Sequence, residues 1–207
     1  MDQSTTEKIL TGAAEIFAQV GFDAARVDAI ADACGVNKAS LYYHFKDKKT
    51  LYNAVVSHYL RLARVEIEER LPPSDNYFDR LRNHIRAMLT CFHAGRFISP
   101  IILREAASGG QNLTRETMEI MRTILGRFRL ILEEGVAAGA FEKKDLSFIH
   151  MSVIGTGHFL IGGAPLRERF IAEGLLSSDD LPSLDPADNA DRIYEMVAAY
   201  LKIKETA

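Results

Sequence analysis

The chain has 207 residues, 47% hydrophobic and 26% charged, with 25 Lys and Arg against 28 Asp and Glu. That size and apolar content suit one or two domains with true cores and exclude disordered, collagen-like and rod-like chains. The formal net charge of −3 excludes a protein that coats nucleic acid through its overall charge, so contact with a polyanion would need a local basic patch.

Cys34 and Cys91 stand apart from each other and from any His/Cys cluster. They are expected to be reduced thiols, with no zinc site and no disulfide framework. The first residues show no basic segment followed by an apolar run, so the expected location is the cytoplasm.

In chain order the pattern is helical throughout. Ser4 and Glu7 form a capping box ahead of Ile9, Leu10, Ala13, Ile16, Phe17 and Val20 at helical spacing, with Gly21 as the stop. A short helix over 27–34 ends at Gly35, and another over 38–45 starts from Asn37 as N-cap. Asp47 caps the next, which carries Leu51, Val55, Leu62 and Val65 and stops before Pro72. Asp75 is expected to open a helix with Leu81, Ile85, Met88 and Phe92 on one face, ended near Gly95. Ser99 followed by Pro100 reads as the start of a short helix that closes at Ser108-Gly109-Gly110. A long helix is expected over 113–138. A short one is expected over 165–174 and a last one over 186–204.

Between them, Asp145 caps a segment that has no Asp, Glu, Lys or Arg from Leu146 to Leu166. Its histidines, hydroxyls and glycines dilute it below what a bilayer span needs. It is expected to be a helix buried in protein or in a subunit interface, with no membrane partner. The fold class is therefore all-α: a three-helix N-terminal domain over 1–46 and a larger helical domain over 47–207.

The informative segment is 27–49. Two short helices flank Gly35-Val36-Asn37, a connection of helix-turn-helix type, held by Val27, Ile30, Ala31, Val36 and Leu41. The second helix of such a unit enters a DNA major groove. Asn37, Lys38 and Ser40 suit base edges or phosphates, and Ala39 suits a thymine methyl. Tyr42, Tyr43 and His44 offer phosphate donors and flat surfaces. Lys38, Lys46, Lys48 and Lys49 stand against Asp47 alone, a basic cluster on an acidic chain.

These residues resemble the N-terminal domain of TetR-type transcriptional repressors. The resemblance runs through Ile9, Ala13, Phe17, Gly21-Phe22, Val27-Asp28-Ala29-Ile30-Ala31, Gly35-Val36-Asn37-Lys38, Leu41-Tyr42-Tyr43-His44-Phe45, Lys48 and Leu51. It implies base contacts from Asn37, Lys38, Ala39, Ser40 and Tyr43, and phosphate contacts from Tyr42, His44 and Lys48. Arg26 departs from the usual Ser or Thr; it loses that cap but keeps a charge for phosphate. Ala39 stands where Gly or Pro is common, which bears on the operator sequence and not on the fold.

The family implies a homodimer on a palindromic double-stranded operator, with its interface on the charge-free helix and the last helix. It also implies a small-molecule effector that shifts the balance between two conformations and so releases DNA. Met88, Cys91, Phe92, Phe97, Arg104, Met121, Leu125, Phe128, His150, Ile154 and His158 are the candidate lining, with Arg104 either a receptor for a carboxylate or a surface partner of Glu105. No cofactor or metal is expected. No phosphate loop, GxSxG or HExxH occurs, so the chain does not read as an enzyme. The competing reading is a helical ligand-binding or interaction protein that does not bind DNA.

Overall fold

The computed structural model describes residues 4–69, 74–183 and 185–201. Among these the elements are all helical: α1 (Thr5–Ala24), α2 (Val27–Ala33), α3 (Lys38–His44), α4 (Lys48–Glu69), α5 (Tyr77–Ala94), α6 (Ile98–Ala107), α7 (Arg115–Ala137), α8 (Leu146–Gly162), α9 (Ala164–Ala172) and α10 (Pro186–Leu201). The expected extension of the last helix to 204 lies outside the described residues.

The chain forms two compact units. The first takes the chain through Leu62 and adds Gly95–Met121; the second takes Ala63–Ala94 and the chain from Arg122. In the first, Ile9, Ala13 and Phe17 of α1 meet Ile30 and Ala31 of α2, Leu41 of α3, Leu51, Val55 and Val56 of α4 and Ile101 of α6. Local signals start these helices. Ser4 and Glu7 close a full capping box, and Gly21 breaks α1 with φ at 77°. Only glycine adopts that conformation without steric cost.

Three expected starts shift. Asn76, not Asp75, caps α5: its Oδ1 accepts from the Phe78 and Asp79 amides. α6 begins at Ile98, whose amide donates to Gly95 O. Ser99 is buried inside the helix instead of capping it, because Pro100 fits anywhere in a first turn, where amides lack helical partners. α7 begins at Arg115, with Thr114 Oγ1 accepting from the Thr117 amide.

In the second unit Leu81, Ile85, Met88 and Leu89 of α5 pack with Phe128, Ile131 and Leu132 of α7, Ile149 and Val153 of α8, and Ile193, Val197 and Leu201 of α10. Arg86 grips Asp191 at 2.7 and 3.0 Å, tying α5 to α10. Gly157 lets α8 approach α5: a Cβ there would sit 2.7 Å from the Phe92 ring. The charge-free helix is buried on one face only. Phe148, Met151 and Phe159 of α8 are more than 60% exposed in the single chain. Among the described residues no single helix is long and apolar enough to cross a membrane.

Candidate functional site

α2 ends in a complete Schellman motif. Val36 N donates to Ala31 O and Gly35 N to Asp32 O, both at 3.0 Å, with Gly35 at φ 65°. The chain then turns straight into α3, where Asn37 Oδ1 accepts from Ser40 N at 2.7 Å. Leu41 and Phe45 face the core, with Leu41 fully buried. That orientation turns Asn37, Lys38, Ala39, Tyr42, Tyr43 and His44 outward, with Ser40 half-buried beside them. Tyr43 is 87% exposed, a degree no core aromatic shows.

Each outward side chain has a defined posture. Lys38 Nζ pairs with Asp28 of α2 at 2.9 Å, which raises the lysine's pKa and holds it charged. His44 Nδ1 lies 3.3 Å from Thr6 Oγ1. The Asn37 carbonyl oxygen is committed to its cap, leaving the amide NH2 for an acceptor. Arg26 is exposed and makes no side-chain cap on α2.

Lys48 has a different posture from that implied by the resemblance. Its ammonium donates to the carbonyls of Phe22 (2.8 Å), Ala25 (3.1 Å) and Asp23 (3.3 Å) and lies over the Phe22 ring. An ammonium has three hydrogens, so all are engaged inward. Lys48 fastens the start of α4 to the end of α1, and the exposed cations of the cluster are Lys38, Lys46 and Lys49.

Residues 9–55 match the family model for bacterial regulatory proteins of the tetR family, and residues 74–161 match that for the tetracyclin repressor-like C-terminal domain. The chain belongs to the TetR family. It is 27% identical over 138 residues, 66% of this chain and 72% of the other, to the HTH-type transcriptional regulator YhgD of Bacillus subtilis. It is 42% identical over 50 residues, 24% of this chain and 27% of the other, to the biofilm operon negative transcriptional regulator IcaR of Staphylococcus aureus. A tetR-family regulatory protein from Rhodococcus RHA1 shares the fold, with a TM-score of 0.77 and 22% identity over 99% of this chain and 100% of that one. This TetR-family chain is thus a DNA-binding transcriptional regulator.

The eleven candidate effector residues divide between the units. Phe97, Arg104 and Met121 belong to the first. Arg104 is not placed to receive a ligand carboxylate: its guanidinium donates to Ala18 O and Gln19 O, both at 3.0 Å, beside the break at Gly21. Met88, Cys91, Phe92, Leu125, Phe128, His150, Ile154 and His158 belong to the second. There Phe92 stacks on His158 at 4.3 Å and Phe128 meets His150 edge-on at 5.5 Å. Cys91 Sγ donates to Ala63 O at 3.7 Å.

Sequence reasoning missed His84. It is fully buried on α5 and stacks on Phe128 at 5.3 Å. Its spacing from Leu81 and Met88 was the available signal, since it shares their helix face. A second missed feature is an open cleft of about 420 Å³ lined by Phe78, Arg82, Tyr194, Glu195 and Ala198.

His84 and His158 are buried and neutral at pH 7, and His150 is half-buried. Burial pushes His84 down to about 3, with Arg127 and His150 adding to it. Burial alone pushes His158 to about 4 and lowers His150. In the unfolded chain each takes up a proton below about pH 6.5. The unfolded state then binds more protons, so stability falls as pH drops from about 6.5 toward 4. Thermal melts followed by circular dichroism across that window are expected to show the loss, and His84→Phe is expected to flatten it. Parallel slopes for the two proteins would refute this assignment.

Proposed function

We propose that this regulator is a repressor that binds a palindromic operator as a homodimer and is released by a small-molecule effector. In this reading residues 1–46 read DNA and 47–207 carry effector binding and dimerisation. The observation that carries it is the orientation of α3, with Leu41 and Phe45 inward and a continuous row of polar, aromatic and basic groups outward. Asn37, Lys38, Ala39, Ser40 and Tyr43 take the base edges. Arg26, Tyr42 and His44 take phosphates, helped by Lys46 and Lys49. Lys48 keeps α4 seated instead of touching the backbone of DNA.

The dimer is supported by an exposed apolar face on α8 and α10. Phe148, Met151 and Phe159 on the one and Met196 and Tyr200 on the other are exposed, and Phe148 and Tyr200 lie side by side at 6.5 Å. Monomers rarely leave contiguous apolar faces of this kind in water. A second copy packed there by a twofold axis would bury them and give the regulator two copies of α3.

Selection of bound sequences from a random DNA pool tests the reading. The expected product is a palindrome whose half-sites lie roughly 34–36 Å apart or a multiple of that. Affinity for it should fall steeply with added salt. A pool that yields no enriched motif, or one without twofold symmetry, would overturn the proposal.

A further inference from the structure

Nδ1 and Nε2 of His84 and Nε2 of His150 are buried and have no hydrogen-bond partner. The two rings flank a single phenyl ring: His84 stacks on Phe128 at 27°, and His150 meets it at 80°. They come from α5 and α8, with Phe128 on α7, so three helices of the second unit converge on one polar spot in an apolar core.

A phenylalanine at position 84 would fill such a core without stranding a polar atom. An imidazole there is unfavourable unless something pairs with it. A neutral imidazole offers one N–H donor and one lone pair. Its natural complement is a group that both gives and accepts a hydrogen bond, as a hydroxyl does. An anion would have to be stripped of water to enter this apolar core, where Arg127, which acts on His84, is itself exposed to solvent. Among the described residues no group of three or more His, Cys, Asp or Glu side chains is placed to hold a metal ion.

We propose that His84 and His150 hold the polar end of the effector, and that this effector is an uncharged, mainly apolar molecule bearing a hydroxyl group. The inference rests on the effector reading given above and assigns its ligand chemistry.

The full-length protein is titrated with naphthol, naphthalene and naphthoate by calorimetry, while nitrogen NMR follows the histidine rings. Naphthol is expected to bind about tenfold more tightly than naphthalene, the worth of a good buried hydrogen bond, and to shift the His84 and His150 signals. His84→Phe should bind naphthol and naphthalene alike, and His84→Gln, which keeps a donor and an acceptor, should retain most of the preference. Equal binding of the two by the natural protein, tightest binding of naphthoate, binding of none of the three, or a preference that survives in His84→Phe would each overturn the assignment. Operator affinity, measured alongside, separates the two proposals. Naphthol that binds as expected without changing DNA affinity leaves the site standing and removes the effector role. Intact operator binding with no hydroxyl preference removes the site alone.

Discussion

Glu105→Ala is expected to destabilise the unit that carries the helix-turn-helix by about 3–5 kcal/mol, the order expected when several buried donors lose one charged acceptor. Glu105 is 3% exposed on α6. Its carboxylate accepts from Tyr52 Oη at 2.7 Å, Asn112 Nδ2 at 2.9 Å and Asn112 N at 3.3 Å. Burial and the bond to Glu105 raise the Tyr52 pKa, so the phenol stays protonated and keeps donating. Alanine would strand all three donors, each costing about 1–3 kcal/mol where water does not reach. Urea unfolding should show a lower midpoint with an unchanged slope. Tyr52→Phe, which removes one donor and keeps its ring against Phe17, should cost roughly 1 kcal/mol. An alanine variant within 1 kcal/mol of the natural protein would show that the network does not hold the unit together.

The same network explains where sequence reading reached its limit. The helix-turn-helix is legible because its signals are local. Gly35 ends α2, Asn37 caps α3, and Leu41 with Phe45 marks the inner face, all within a dozen residues of one another. The buried polar ties join residues far apart in the chain. Asn53 Oδ1 accepts from Thr114 N at 2.8 Å and Thr117 Oγ1 at 2.9 Å, while its amide donates to Lys49 O and Asn112 O. Nothing in the spacing of Asn, Glu and Thr announces such pairs. Lys48 shows the same limit. A lysine in a basic run reads as a phosphate contact, whereas a few carbonyls left open at the end of α1 capture it first. For α8 the difficulty is composition. A helix without charged residues has no polar stripe to mark its outer face, so only packing reveals that Phe148 and Met151 face out while Ile149 and Val153 face in. His84 is not legible in the sequence because a polar residue on an apolar face breaks the helical pattern.

Replacing Lys38 by Ala together with Tyr42 by Phe is expected to lower operator affinity by about a hundredfold, the combined effect of losing one base-edge and one phosphate contact. The fold should be untouched. Both side chains are exposed and Lys38 pairs with Asp28 at the surface, so the thermal midpoint should match that of the natural protein. The dependence of affinity on salt should weaken by about one ion per lost cation. Lys48→Ala provides the contrast. Its ammonium holds three carbonyls and no solvent-facing partner, so its loss should lower the midpoint and the DNA affinity together while leaving the salt slope unchanged. Filter-binding titrations at several salt concentrations, with melts of the same samples, read all of these quantities. If the Lys38 and Tyr42 replacements leave affinity intact, α3 does not face DNA through this side. If Lys48→Ala lowers the salt slope without lowering the midpoint, its ammonium leaves the α1 carbonyls for a phosphate when DNA is bound.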